Sequence, residues 1–376
     1  MTETKTAPKR AASTKVSTSS PAKRPSRAKA KTATAPKVAP ATTSPRVPAV
    51  DMFASSEHFL EHMLPGFLAL PKASRGSVLV LGDATRAAAE RRVPEGVKIT
   101  QVDEVKKSDA PVMVGSFADL VLVRDRRRRV LYTEHGMGMS YGNGHPSYPG
   151  AQDRGGVEAI FSPNERAADL DRAVHPDLPI YVVGTPKLDG VKQRPALGRV
   201  VVVSFHWDCK VAPETRSAFG HYKHALLDLK RAKDFTVIGH SHPRPGWRKI
   251  VRSHFERFEI PFIETFDEVL DTADAYVVDN SSTLYEAAAA GRPTVAMNAP
   301  WYRQGLKNRV RFYDLIPGAQ VNLPNQLVPT IRKVLDEPER WEPARQAAVA
   351  ALYPHLGQAS DVMAKAIITH LTKSEG

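Results

Sequence analysis

Residues 275–298, AYVVDNSSTLYEAAAAGRPTVAMN, limit what this chain can fold into more than any other stretch. Ala275 to Val278 is a short apolar run of the kind that forms a buried strand. Asp279, Asn280, Ser281, Ser282 and Thr283 follow as a turn of small polar residues. Their hydroxyls can cap a helix that begins near Leu284. That helix is Ala-rich and ends at Gly291, with Pro293 just beyond it, and Thr294 to Met297 reads as the next strand. A strand–turn–helix–turn–strand unit builds parallel sheet, so the expected class is α/β.

The turn falls at the carboxyl end of a strand and the amino end of a helix. Free backbone N–H groups and the positive end of the helix dipole collect there, which suits a phosphate or diphosphate. Glu286, in the first helical turn, can accept hydrogen bonds from ribose hydroxyls if it faces the same crevice. The turn alone fits equally well with Ser281 and Ser282 as plain helix caps and Glu286 as a solvated helix residue.

A chain of 376 residues has room for two domains and a large core. Its formal net charge is +13, but residues 1–50 hold eleven Lys or Arg against one acid, Glu3. That stretch therefore carries ten of the thirteen charges, and the remainder is close to neutral. It has no aromatic residue and is built from Lys, Arg, Ala, Pro, Ser and Thr, so it cannot bury enough apolar surface to offset its ordering entropy. The expectation is a disordered basic tail. Its two readings are a polycation that meets an anionic membrane surface or polyanion, and a solubilising tether. It lacks the apolar core of a signal peptide, and no run of 18 uncharged apolar residues occurs anywhere to span a membrane. The single cysteine, Cys209, excludes an internal disulfide and fits a cytoplasmic protein, with peripheral contact at the inner membrane face as an extension of the tail reading.

In chain order, the first folded piece begins near Met52. Phe53 to Leu70 has helical apolar spacing broken by Pro65, Ser77 to Leu81 is a strand, and Thr85 to Arg91 is a helix. Val97 to Val102 and Asp119 to Val123 read as strands. Arg124 to Arg129 places five Arg around Asp125, either a site for an acidic acceptor or a solvated connection. Val130 to Thr133 is a strand that delivers Glu134, His135 and Gly136 to a Gly-rich loop. A histidine at the end of a buried strand stands where α/β crevices do chemistry, and a neutral imidazole takes protons near neutral pH. Ser140 to Gly156 reads as a rim loop, and Ile180 to Val183 as a strand leading to Gly184-Thr185-Pro186-Lys187-Leu188-Asp189. Leu197 to Ser204 opens a second βα series. Pro213 to Lys230 reads as a helix, and Phe235 to Gly239 as a strand ending in His240-Ser241-His242-Pro243-Arg244. A strand at Pro261 to Ile263 and a helix at Asp267 to Ala273 complete the series. The expected organisation is a tail at 1–50, a first Rossmann-like domain at 51–192 and a second at 193–376.

His206, His221, His224, His240, His242 and Cys209 match no zinc spacing, so no metal is expected. Neither a GxSxG elbow nor a Walker loop occurs.

Four motifs in order carry a resemblance: His135-Gly136 after a strand, GTPKLD at 184–189, HSHPR at 240–244 and VVDNSSTLYEAAAAGRPTV at 277–295. Over roughly residues 120–305 the chain resembles the CDP-glycerol glycerophosphotransferase family of teichoic acid enzymes, which have the GT-B fold. The resemblance implies two Rossmann-like parallel-sheet domains facing across a cleft, no cofactor, and a nucleotide-activated donor. His135 then matches the general base that deprotonates the acceptor hydroxyl as it attacks the donor β-phosphorus and expels CMP. His242, with Arg244 beside it, matches the donor-diphosphate histidine, and Ser281 and Ser282, with Thr283, match the serine pair holding the same diphosphate. Glu286 falls to the nucleoside, and Gly136, Lys187, Asp189 and Asp279 are further cleft residues. Asn280 stands where the family has Tyr, and Lys187 where it has Arg. The transferred group is accordingly glycerophosphoryl or glycosyl, and the acceptor a hydroxyl, such as one on a cell-envelope polymer. Two other classes stay open: a UDP-sugar 2-epimerase, for which Glu134, Asp189 and Asp208 are the carboxylate candidates, and a non-catalytic binder of polyanions.

Overall fold

Among the described residues twelve short strands, most of them buried Val, Ile, Leu and Ala, build two sheets, and continuous apolar strands of this kind belong to sheets covered on both faces. The first sheet contains Val50–Ala54 (β1), Arg75–Val80 (β2), Ile99–Gln101 (β3), Val112–Val114 (β4), Val130–Thr133 (β5), Val157–Ser162 (β6) and Ile180–Val182 (β7). Their order is β3-β2-β1-β4-β5-β6-β7, and every pair is parallel. The second contains Val200–Phe205 (β8), Thr236–Ser241 (β9), Ala275–Val278 (β10), Thr294–Met297 (β11) and Ala319–Val321 (β12), in the parallel order β12-β11-β10-β8-β9. The expected class of two parallel α/β layers is what the chain adopts. The computed structural model describes residues 48–104, 109–125, 129–139, 145–193, 198–208, 215–302 and 311–374. The basic tail to residue 47, Arg126 to Arg128, residues 140–144 of the rim loop and Cys209 lie outside them.

Each sheet begins on one side of its first strand and then crosses to the other, between β1 and β4 in the first and between β8 and β10 in the second. Crevices at the carboxyl ends of such switch points are where open α/β sheets bind ligands. Both switch points are furnished with polar residues, as described below.

Several elements differ from the sequence expectations. Asp119 to Val123 is not a strand but the end of a helix, Phe117–Val123 (α3). An apolar run of that length is ambiguous between the two. The local signal that decides it is Ser116, whose Oγ accepts from Asp119 N–H at 3.1 Å as an N-cap. Pro261 to Ile263 contributes one bridge, Phe262 to Gly239, and no full strand. Pro213 to Lys230 resolves into two short helices, Phe219–Tyr222 and Leu226–Arg231. A helix at Pro245–Arg257 was hidden by Pro243 and Pro245, although proline fits the first turn, where its missing N–H has no partner anyway.

Pro65 does not end its helix either: Glu57–Ala69 (α1) runs through it. Proline removes one backbone bond and crowds the preceding turn, so packing must offset it. The last helix, Ala359–Ser374 (α12), crosses back to supply that packing. Its Met363 lies against Gly66, where any side chain on the α1 residue would collide with the sulfur. Met363, Ala364, Ile367 and Leu371 share a core with Leu60, Met63 and Phe67 of α1.

Candidate active site

The residue after β5 is fixed by the sheet before any ligand is considered. Glu134 N–H donates to Phe161 O at 3.1 Å, extending the strand by one residue and aiming His135 out of its carboxyl end. The chain then turns through Gly136, at φ 67°, and Gly138, at φ 71°. Only glycine takes such angles without strain, and a side chain at 136 would point at Ser282 of the second layer. His135 Nδ1–H donates to the Gly115 carbonyl at 2.8 Å, at the end of the neighbouring β4. The carbonyl can only accept, so the ring proton resides on Nδ1 and Nε2 is left with its lone pair. Burial lowers the His135 pKa, with the Gly115 bond and the Glu286 charge opposing it in part.

His242 follows β9 of the second layer. Its backbone N–H is held by Phe205 O at 3.0 Å, and its Nδ1 accepts from Arg244 N–H at 3.2 Å. His206, which follows β8, lies 5.2 Å from His242 between ring centroids. The Arg244 guanidinium stacks over Trp207 at 4.5 Å and is exposed. Two more imidazoles come from α1: His58 and His62, four residues apart and so on one helix face. His58 is 5.7 Å from His135 and 6.4 Å from His242, which makes it the ring between them. Phe59 packs on His135 at 5.1 Å. Burial pushes the pKa values of His58, His62 and His242 well down, and that of His206 to about 4, so all four are neutral near pH 7.

The turn after β10 is bonded both within itself and to neighbouring segments. Asp279 is fully buried, and its carboxylate accepts from His206 N–H at 2.7 Å, Ser217 Oγ–H at 2.8 Å and Ala218 N–H at 2.8 Å. Ser281 Oγ accepts from Thr283 Oγ1–H at 2.8 Å and from Thr283 N–H at 3.3 Å. Ser282 Oγ–H donates to Glu286 Oε1 at 3.2 Å, and Lys187 Nζ to Glu286 Oε2 at 2.9 Å. Glu286, on Thr283–Ala289 (α9), is thus buried against a cation rather than solvated. A cavity of about 330 Å³ adjoins Lys187, lined by Glu61, Leu64, Pro65, Arg92 and Asp267.

The structure therefore gathers His135, Gly136, His242, Ser282, Lys187 and Glu286 into one region. Asp189 lies apart: it accepts from Ala359 N–H at 2.9 Å and Ser360 N–H at 2.6 Å and caps α12. Asp279 braces His206, Ser217 and Ala218. Glu134 turns the other way, against Arg154 at 3.4 Å, and burial with the Asp171 charge raises its pKa to about 8. Sequence reasoning missed His58 and His62, although their i,i+4 spacing on a recognised helix was available. His206 was weighed only as a metal ligand. Among the described residues no group of three or more His, Cys, Asp or Glu is placed to hold a metal ion.

Several solved structures share this fold. A protein of Listeria monocytogenes designated a UDP-N-acetylglucosamine 2-epimerase has a TM-score of 0.61 at 18% identity, covering 87% of this chain and 97% of that one. The wall teichoic acid polymerase TagF gives 0.59 at 13% identity, over 87% of this chain and 90% of that one. UDP-GlcNAc 2-epimerase from Neisseria meningitidis, bound to UDP-GlcNAc, gives 0.57 at 14% identity, over 87% and 100%. No protein-family model matches the sequence, and no curated protein does. The chain has the GT-B fold, with two parallel-sheet α/β domains. Identities this low define the fold and nothing finer. Among the described residues no helix is long and apolar enough to cross a membrane.

Proposed function

We propose that this protein is a nucleotide-dependent GT-B transferase that moves a glycerophosphoryl or glycosyl group from an activated donor to a hydroxyl acceptor. One observation carries the reading: the Gly115 carbonyl holds His135 as the tautomer whose Nε2 accepts a proton. In this mechanism Nε2 takes the acceptor hydroxyl proton while the oxygen attacks the donor. His242 and Arg244 supply hydrogen-bond donors and charge to the diphosphate, where developing negative charge is most in need of stabilisation. Ser281, Ser282 and Thr283 shape the turn on the opposite side, with Lys187 paired to Glu286 beside it. The basic stretch before residue 48 is the natural contact for an anionic acceptor polymer or membrane surface.

A second reading, 2-epimerisation of a UDP-sugar, draws on the likeness to the Listeria and Neisseria structures. Two of its three candidate carboxylates have other work: Glu134 faces Arg154 and Asp189 caps α12. Asp208 is exposed and stays a candidate.

A donor panel read by thermal unfolding tests both. A ligand that binds only the folded state raises the midpoint in proportion to its affinity and concentration. Stabilisation by CDP-glycerol alone supports glycerophosphoryl transfer. Stabilisation by a UDP-sugar that is then converted to its 2-epimer without acceptor supports the second reading. Silence across CDP-glycerol, UDP-, GDP- and dTDP-sugars sinks the donor site altogether.

A further inference from the structure

The two imidazoles on α1 have no role in the account so far, and their bonding is unusual for buried groups. His62 is 5% exposed, and its Nδ1 accepts from Gly136 N–H at 3.4 Å. The ring proton therefore belongs on Nε2, and that nitrogen is buried without a partner. Leaving a buried donor unmet costs about 1–3 kcal/mol. His206 Nδ1, on the other side of the cleft, is likewise buried and unmet. His58 stands between them, 4.8 Å from His62, 5.7 Å from His135 and 6.4 Å from His242. Five imidazoles thus run continuously from α1 and β5 of the first layer to β8 and β9 of the second. None of the five rings is hydrogen-bonded to a carboxylate among the described residues.

The charges facing this run are few. Burial is the main force keeping the rings neutral, and Lys187, from the turn after β7, at His58 and His62, and Arg244, before the Pro245–Arg257 helix, at His242, are cations that add to it. His240, at the end of β9, adds to this at His242. Glu286, the acid that bears on His135, is already paired with Lys187. A set of neutral imidazoles held that way by burial and like charge gains protons when an anion enters.

We propose that His58, backed by His62, is a second donor-contacting residue: it closes on the diphosphate from the first layer while His242 holds it from the second, and the run takes up protons as the anion binds. This rests on the nucleotide-donor reading above. No bond is made or broken. The imidazoles draw protons from solvent, so affinity rises as pH falls toward 6, until the free site itself becomes protonated.

The test is calorimetric titration of the full chain with CDP-glycerol and with UDP-N-acetylglucosamine. Both carry a diphosphate diester that does not itself titrate near neutral pH. Each titration is run from pH 6 to 8 in two buffers of different ionisation enthalpy, so that the buffer dependence counts protons taken up. The expected result for the unaltered protein is uptake of roughly one proton and tighter binding at lower pH. His58→Gln should weaken binding about tenfold and cut the uptake, a change that a merely structural role does not produce. Binding by the unaltered protein with no proton uptake overturns the inference on its own, whether or not the variant folds. Equal affinity and equal uptake in a folded His58→Gln also overturn it, and both outcomes leave the donor reading standing. Failure of the unaltered protein to bind either ligand or any other donor at any pH removes the donor reading and this inference with it.

Discussion

The turn after β10 and the imidazole run that faces it are both polar and both largely out of water, yet they are furnished in opposite ways. In the turn, the Asp279 carboxylate meets three donors, Ser281 and Thr283 bond each other, and Glu286 has both Ser282 and Lys187, which leaves Asn280 Oδ1 as the one buried side-chain atom there without a partner. In the imidazole run, His62 Nε2 and His206 Nδ1 have nothing. Buried polar groups that are paired hold a structure together, whereas unpaired ones cost stability and persist where something else needs them. The comparison assigns the turn a shape that exists before any ligand arrives, and assigns the imidazoles to the ligand.

Substitutions on the two sides should therefore behave differently. Asp279→Ala leaves His206 N–H, Ser217 Oγ and Ala218 N–H without their acceptor, and should cost about 4 kcal/mol in chemical denaturation. A loss under about 1 kcal/mol would break the claim that the turn is held in place by bonds from the protein itself. At the other extreme, His58→Leu removes a ring with no hydrogen bond among the described residues, and should change stability by less than about 1 kcal/mol, in either direction. A large destabilisation there would make His58 a structural residue and erase the contrast.

The contrast also explains what was legible in the sequence. The turn is local: strand, polar turn, helix and the Gly291–Pro293 stop lie within 24 consecutive residues, and their order alone fixes a parallel unit, although Ser282 at the N-cap makes no side-chain capping bond. Most strands of both sheets were readable in the same way, as apolar runs bounded by turn residues. The failures were runs whose length fits either element, as at 119–123, and the helix masked by Pro243 and Pro245. The imidazole run was not legible because it is assembled from the ends of both sheets and α1, at residues 58, 62, 135, 206 and 242. Beyond the i,i+4 pair on α1, no spacing along the chain records that assembly. Asp279 and Asp189 show the converse. Each sits in a motif, but the fold turns each carboxylate onto backbone N–H groups, as a local reading of composition cannot foresee.

The proposed transfer depends most on His135, the one residue on which the sequence motif, the tautomer and the position between the layers agree. The direct measurement is nucleotide release by His135→Ala from whichever donor protects the unaltered protein against unfolding. Donor affinity within about twofold, with release slowed by about two to four orders of magnitude, is the predicted result for a lost general base. Release at the unaltered rate would take His135 out of the chemistry and leave the cleft as a binding site whose catalyst lies elsewhere.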